Sequence, residues 1–203
     1  EALDVAHRAR VERFEISVGL TNTQRRAVAA HDLARGGYTA TLFERDEAIG
    51  GCLVQKIPPW RLPRRVVDRD LSIIAMLPID IRCGMQVGRG LGLEELRSDY
   101  DAILISCGYE GGLDLLRQED HGLRRTIRHT LWADPVTCET GLPGVFAGGD
   151  AVSGPGSVID ALALGRRSAE SARRHLTGRD LHEDRSSPLP RRLLWTLQID
   201  EAE

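Results

Sequence analysis

The amino-acid sequence predicts an α/β fold built on a parallel sheet. Three observations carry this: short runs of β-forming residues recur along the chain, helical patterns separate them, and the runs close on an acidic residue or a glycine turn. The 203 residues are enough for one good-sized core. With 41% hydrophobic and 28% charged residues the composition is ordinary for a globular chain, and a net charge of -3 supplies no field that would favour nucleic acid or a membrane surface. No apolar run approaches the ~18 residues a membrane span needs.

The elements follow in order. Residues 1–14 are charged, carry a weak apolar stripe (Leu3, Val5, Ala6, Val11, Phe14) and read as a lead-in helix. A strand is expected at 16–20 and a helix at 23–35, which Gly36-Gly37 stops. Residues 38–44 alternate and are rich in β formers, giving a second strand that Glu44 closes; the spacing is that of a parallel β-α-β unit. Residues 46–63 read as a loop, marked by Gly50-Gly51, Pro58-Pro59 and Pro63, after which a helix runs towards Met76. Extended pieces at 79–83 and 85–87 and a helical turn at 93–96 lead to "YDAILISCG" at 100–108, an apolar run that reads as a buried strand ending at the sheet's carboxyl edge. Between 109 and 137 the pattern is too weak to assign elements. "PGVFAGGD" at 143–150 is a strand running into a glycine turn and an aspartate. A loop at 153–157 precedes a long helix at 158–176, whose small residues let it lie close against a sheet. Past Gly178 the tail is charged and broken by proline, with Trp195 as its large anchor; docking on a partner subunit and plain disorder are both open there.

Four blocks occur in order over most of residues 27–174: "AAHDLARGGYTATLFERDEAIGG", "IPPWRLPRRVVDRDL", "DAILISCG" and "LPGVFAGGDAVSGPGSVIDALALGRR". Together they resemble the flavin-binding part of the small (beta) subunit of glutamate synthase and its NAD(P)H-linked flavoprotein relatives, including the corresponding part of dihydropyrimidine dehydrogenase. The resemblance implies a Rossmann-like FAD-binding domain over 15–178, with a parallel sheet flanked by helices. It assigns Glu44 to the adenosine ribose of FAD, with Arg45 beside it. That agrees with a carboxylate about 20 residues past a phosphate loop at a strand's end, although a surface charge is the competing reading. Gly50 and Gly51 would let backbone approach the cofactor, and Arg61 and Leu62 resemble the stretch near the isoalloxazine and pyrophosphate. Gly108 ends the buried strand, and Gly149-Asp150 matches the motif whose aspartate meets the ribityl chain. Ser157 and Val158 then open the last helix, whose dipole would stabilise negative charge on reduced flavin.

Two departures cut against a working reductase. The expected phosphate loop reads "TNTQRR", so the family's three glycines fall at Thr21, Thr23 and Arg26. Glycine at those places makes the tight turn, admits pyrophosphate and lets helix pack on strand; forcing other residues there costs about 1–3 kcal/mol each. Gly19 as the first glycine, with Arg25 or Arg26 pairing phosphate by charge, is the alternative. The second departure is an absence. The family's NAD(P)H-binding domain is replaced by the short segment 109–142, which holds no G-x-G-x-x-G.

The residues offer no catalytic acid, base or nucleophile, and the six histidines lack metal-ligand spacing. Cys52, Cys83, Cys107 and Cys138 form no C-x-x-C pair and follow no secretory leader. They read as buried thiols in a reducing, cytoplasmic setting. Two functions remain. One is an FAD-dependent oxidoreductase or electron-transfer flavoprotein subunit, with electrons arriving from a separate NAD(P)H-oxidising or iron–sulfur partner subunit. The other is a non-catalytic scaffold that keeps the sheet and not the flavin; another adenine nucleotide in place of FAD, and the oligomeric state, stay open.

Overall fold

Seven strands and six helices are named in chain order: β1 (Phe14–Ile16), β2 (Ala40–Glu44), α1 (Gly51–Gln55), α2 (Arg64–Ala75), β3 (Ile79–Cys83), β4 (Gln86–Val87), β5 (Gly90–Leu91), α3 (Leu93–Asp99), β6 (Ile103–Ile105), α4 (Gly108–Leu116), β7 (Val145–Ala147), α5 (Asp150–Ser153) and α6 (Val158–Leu176). The computed structural model describes residues 14–16, 32–34, 36–77, 79–117, 122–156 and 158–186. Five strands form one sheet in the order β3-β2-β1-β6-β7, and every pairing in it is parallel. Strand order reverses between β1 and β6, which is the switch point of a doubly wound α/β sheet. The predicted fold class is therefore the observed one.

Strand alternation explains why the apolar runs of β6 and β7 contain almost nothing polar. Ile103, Ile105, Val145 and Ala147 face one layer, with Phe43, Leu93, Leu96, Leu115, Leu131 and Val152. Leu104 and Phe146 face the other, with Leu33, Ala169 and Ala172. Both faces are covered, so neither strand has a solvated side on which charge would be tolerated. Strand β3, at the opposite end of the sheet from β7, is different: it is half exposed and carries an Arg82–Asp80 ion pair of 2.8 Å. Charge on an edge strand discourages pairing with another chain.

Several boundaries differ from expectation. Phe14 opens β1 opposite Ala40, so it belongs to the sheet and not to the lead-in helix; the rest of that helix lies outside the described residues. The loop expected at 46–63 contains α1, and the turn expected at 93–96 is the seven-residue helix α3. The unassigned stretch after 108 holds α4 and then a tight reversal in which Arg125 bridges Leu131. Its Leu123, Leu131 and Ala133 are buried in the main core, so the short segment closes the sheet with packed structure. The thiols are not all buried either: Cys107 and Cys138 are, whereas Cys83, the last residue of the edge strand, is exposed. The beginning of the tail is also ordered by the chain itself. Arg174 donates to the Asp180 and Glu183 carbonyls, and Arg185 donates to Ser171 Oγ and the Arg167 carbonyl, fastening residues 179–186 onto α6.

Candidate functional site

In a parallel sheet every strand ends on the same edge, and the loops leaving that edge meet around the switch point. Four of the predicted groups lie there: Glu44 at the end of β2, Gly50-Gly51 just beyond it, Gly108 after β6, and Gly149-Asp150 after β7. From β2 across β1 and β6 to β7 is three strand spacings, about 14 Å at ~4.8 Å each. Residues Thr21–Arg26 lie outside the described residues, as does Ser157.

Glu44 is fully buried, 0% exposed, at the tip of a strand that is buried throughout. Its Oε1 accepts the Asp46 N–H at 3.1 Å, which fixes the orientation of the carboxylate as the chain turns away. A surface charge is excluded by that burial. Arg45 turns outwards to Asp46, with which it forms a 3.8 Å ion pair, and Asp46 in turn accepts Gln55 Nε2 at 2.8 Å. Gly50 packs so closely beneath the Val54 side chain that a methyl group there would collide with it. The carbonyls of Leu53 and Val54, at the end of α1, accept the Arg64 guanidinium from the start of α2.

At the other end, Gly149 has φ 75° and ψ −153°, and Gly154 has φ 77° and ψ 179°. These conformations belong essentially to glycine, and they bracket α5. Ser153 ties the bracket together, since its hydroxyl lies 3.1 Å from the carbonyl oxygens of both Gly149 and Gly154. The loop then passes the Asp150 carboxylate: a Cβ on Gly156 would sit 3.8 Å from Asp150 Oδ1. Main chain and one carboxylate thus form this wall, followed by the amino end of α6 at Val158. Helix α4 presses against α5 so closely that a Cβ on Gly112 would be 3.2 Å from the Ala151 Cα, and Leu131 donates its N–H to the Ala151 carbonyl at 2.8 Å.

Arg61 is exposed, and its N–H and that of Leu62 close a turn on the Pro58 carbonyl at 2.9 and 3.1 Å. Two residues the sequence did not single out do meet here: Lys56 Nζ lies 3.2 Å from Glu110 Oε1, linking the segment after β2 to the first turn of α4. A pair 54 positions apart leaves no local signal. Among the described residues no cluster of His, Cys, Asp or Glu could hold a metal ion, and no helix is long and apolar enough to cross a membrane. Burial pushes the Cys138 thiol up, which leaves it a packing group and not a nucleophile. A cavity of about 310 Å³ opens elsewhere, between residues 32–33 and the middle of α6, lined by Asp32, Leu33, Arg166, Ala169, Glu170 and Arg173.

No protein-family model matches the chain. Individual proteins do. Over 132 residues the chain is 33% identical to the glutamate synthase [NADPH] small chain of Mycobacterium tuberculosis, an alignment covering 61% of this chain and 27% of that protein. It is 35% identical over 95 residues to the NAD-dependent dihydropyrimidine dehydrogenase subunit PreT of Salmonella typhimurium, covering 46% and 23% of the two chains. To the NADPH-Fe(3+) oxidoreductase subunit beta of Geobacter sulfurreducens it is 32% identical over 110 residues, covering 44% and 16%. These relatives are oxidoreductase subunits by name, and the chain spans about a quarter or less of their length. Among solved structures, FprA of Mycobacterium tuberculosis in complex with NADPH aligns with a TM-score of 0.42 and 16% identity over 48% of this chain and 23% of that one.

Proposed function

We propose that the chain holds FAD noncovalently at the carboxyl edge of its sheet and serves as the flavin-bearing part of an oxidoreductase or electron-transfer assembly. The observation that carries this is the pairing of a buried, oriented carboxylate at the β2 tip with the Gly149-Asp150 turn at the β7 tip, on one edge. Glu44 would accept the vicinal hydroxyls of the adenosine ribose, and Asp150 the ribityl chain. The glycine bracket Gly149 to Gly154 would present main chain to the cofactor without a side chain in the way, and the amino end of α6 would face the pyrimidine edge of the ring. FAD, when bound, supplies the hydride and electron chemistry; the chain positions it and sets its electrostatic surroundings. Electrons would come from an NAD(P)H-oxidising or iron–sulfur partner subunit. The names of the relatives support this class of function.

Purified protein with FAD added is expected to develop a band near ~450 nm that survives gel filtration. Protein that stays colourless would favour the scaffold reading, for which the glycine-free Thr21–Arg26 loop is the motivating observation. Titration with ADP and NAD beside FAD separates a different adenine nucleotide from either.

A further inference from the structure

Strand β3 ends the five-stranded sheet, and among the described residues no strand pairs with its outer edge. The chain does not cover that edge on leaving the strand: the Gly84 and Met85 N–H groups donate to the Asp46 and Glu44 carbonyls at 3.0 and 2.9 Å, which bends it towards β2. An open edge of this kind offers N–H and C=O groups to another strand. Asp80 and Arg82 stand two positions apart and so share a face; they pair at 2.8 Å with side chains 53% and 46% exposed. Ile79 and Ile81 lie on the other face, half-buried. Charge keeps such an edge from pairing with arbitrary chains. The exception is a strand whose charges are opposite at the facing positions.

The strand itself meets that condition. Two copies related by a two-fold axis pair antiparallel, and residues that face each other must share a face of the sheet, so the facing partner shifts only in steps of two. Centred on Ile81, the pairing sets Asp80 opposite Arg82 of the second copy and Arg82 opposite its Asp80, with Ile81 against Ile81 and Ile79 against Cys83. The next register on either side sets Asp80 against Asp80 or Arg82 against Arg82, and like charges directly opposite are unfavourable. The charges therefore select one register. Apolar surface is close by: Met76, 77% exposed, precedes Ile79 by three residues, which bounds their Cα separation at about 11 Å. We propose that β3 is a self-association edge, on which two copies of the chain join antiparallel about Ile81 into one sheet of ten strands, five from each copy. The proposal is independent of the flavin reading.

Sedimentation of the full chain from about 5 to about 200 µM reads the association, because a dimer is linked to protein concentration by mass action. Reductant is present throughout, so that exposed Cys83 forms no disulfide. A concentration-dependent dimer is expected. Asp80→Arg alone and Arg82→Asp alone each weaken it at least tenfold, since each sets like charges opposite. Mixed in equal amounts, the two variants recover the association as a heterodimer, and the chain carrying both exchanges recovers it as a homodimer. Arg82 also lies over the Phe43 ring, 5.5 Å from its centroid, so melting temperature is recorded for every variant. Where Arg82→Asp does not fold, Asp80→Arg, which leaves that contact in place, must dissociate the dimer by itself. A monomer over the whole range overturns the proposal. So does a dimer that folded variants keep, or one that mixing the two folded variants does not restore.

Discussion

At Gly149 the backbone conformation excludes a side chain more firmly than any lack of space does. With φ 75° and ψ −153° an alanine would be strained by about 1–3 kcal/mol, and the neighbouring Ser153 hydroxyl bond to its carbonyl would be lost if the turn relaxed. Gly149→Ala is expected to lower the melting temperature and to weaken FAD binding; scanning calorimetry with and without FAD reads both. Glu44 is a cleaner probe of binding alone. Glu44→Gln keeps an acceptor for the Asp46 N–H while removing the charge, so the apo protein should melt almost as wild type does. Hydrogen bonds to a charged group are worth about 1.5–3 kcal/mol, so FAD affinity should fall roughly 10- to 100-fold. Equal affinity for the two proteins in a fluorescence titration would remove Glu44 from the site. Both residues were legible in the sequence because an acid at a strand tip and a Gly-Asp turn after an apolar run are local patterns. Arg61 shows less of itself in its motif: its backbone N–H closes a turn on the Pro58 carbonyl, and its side chain is exposed.

Helices show where local reading stops. The boundaries of α2 and α6 follow from proline and period, and they stand where expected. Helix α4 escaped because Gly108, Gly111 and Gly112 make a poor helix in isolation; the close approach of Gly112 to Ala151 is a tertiary reason for glycine that no propensity contains. Gly112→Val should therefore push α4 from α5, costing about 1–3 kcal/mol and disturbing the turn at Gly149. The tail residues 179–186 were open to either docking or disorder because their anchor is an arginine on another element. Arg174 is 9% exposed and donates at 2.8–2.9 Å to Glu170 and to the Asp180 and Glu183 carbonyls. Arg174→Ala is expected to cost about 2–3 kcal/mol and to expose the chain near Arg179 to trypsin, which limited proteolysis would show. The same cluster carries a pH dependence. Hydrogen bonding from Arg173, reinforced by Arg174 and opposed by burial, holds the Glu170 carboxyl down at about 2 from an ordinary 4.5. A depressed carboxylate stabilises the fold above its unfolded value and loses that contribution as pH falls from about 4.5 towards 2. Glu170 is 37% exposed, so after solvent screening the contribution is about 1 kcal/mol. Glu170→Gln should flatten thermal stability over that interval and leave it unchanged in slope at neutral pH.

For the whole molecule, the question is whether a sheet with its nucleotide-binding order intact still gains from the nucleotide. Strand order, the buried carboxylate and the glycine bracket argue for it; the rewritten loop after β1 argues for a weaker grip. The two effects have different magnitudes. Strain of about 1–3 kcal/mol per misplaced loop residue is comparable to one charged hydrogen bond, whereas the proposed ribose, ribityl and helix contacts would be several. FAD should thus bind in the micromolar range, near −8 kcal/mol, and not at the nanomolar affinity of an intact cradle. Ligand at one hundred times its dissociation constant stabilises the native state by about 2.7 kcal/mol, and 1 kcal/mol moves the melting temperature of a chain this size by about 2–4 °C. A rise of roughly 5–10 °C with FAD in the hundred-micromolar range is therefore expected, absent with riboflavin, which carries neither the ribose that Glu44 is proposed to hold nor the pyrophosphate. A shift no larger with FAD than with riboflavin would mean that the sheet has outlived its cofactor.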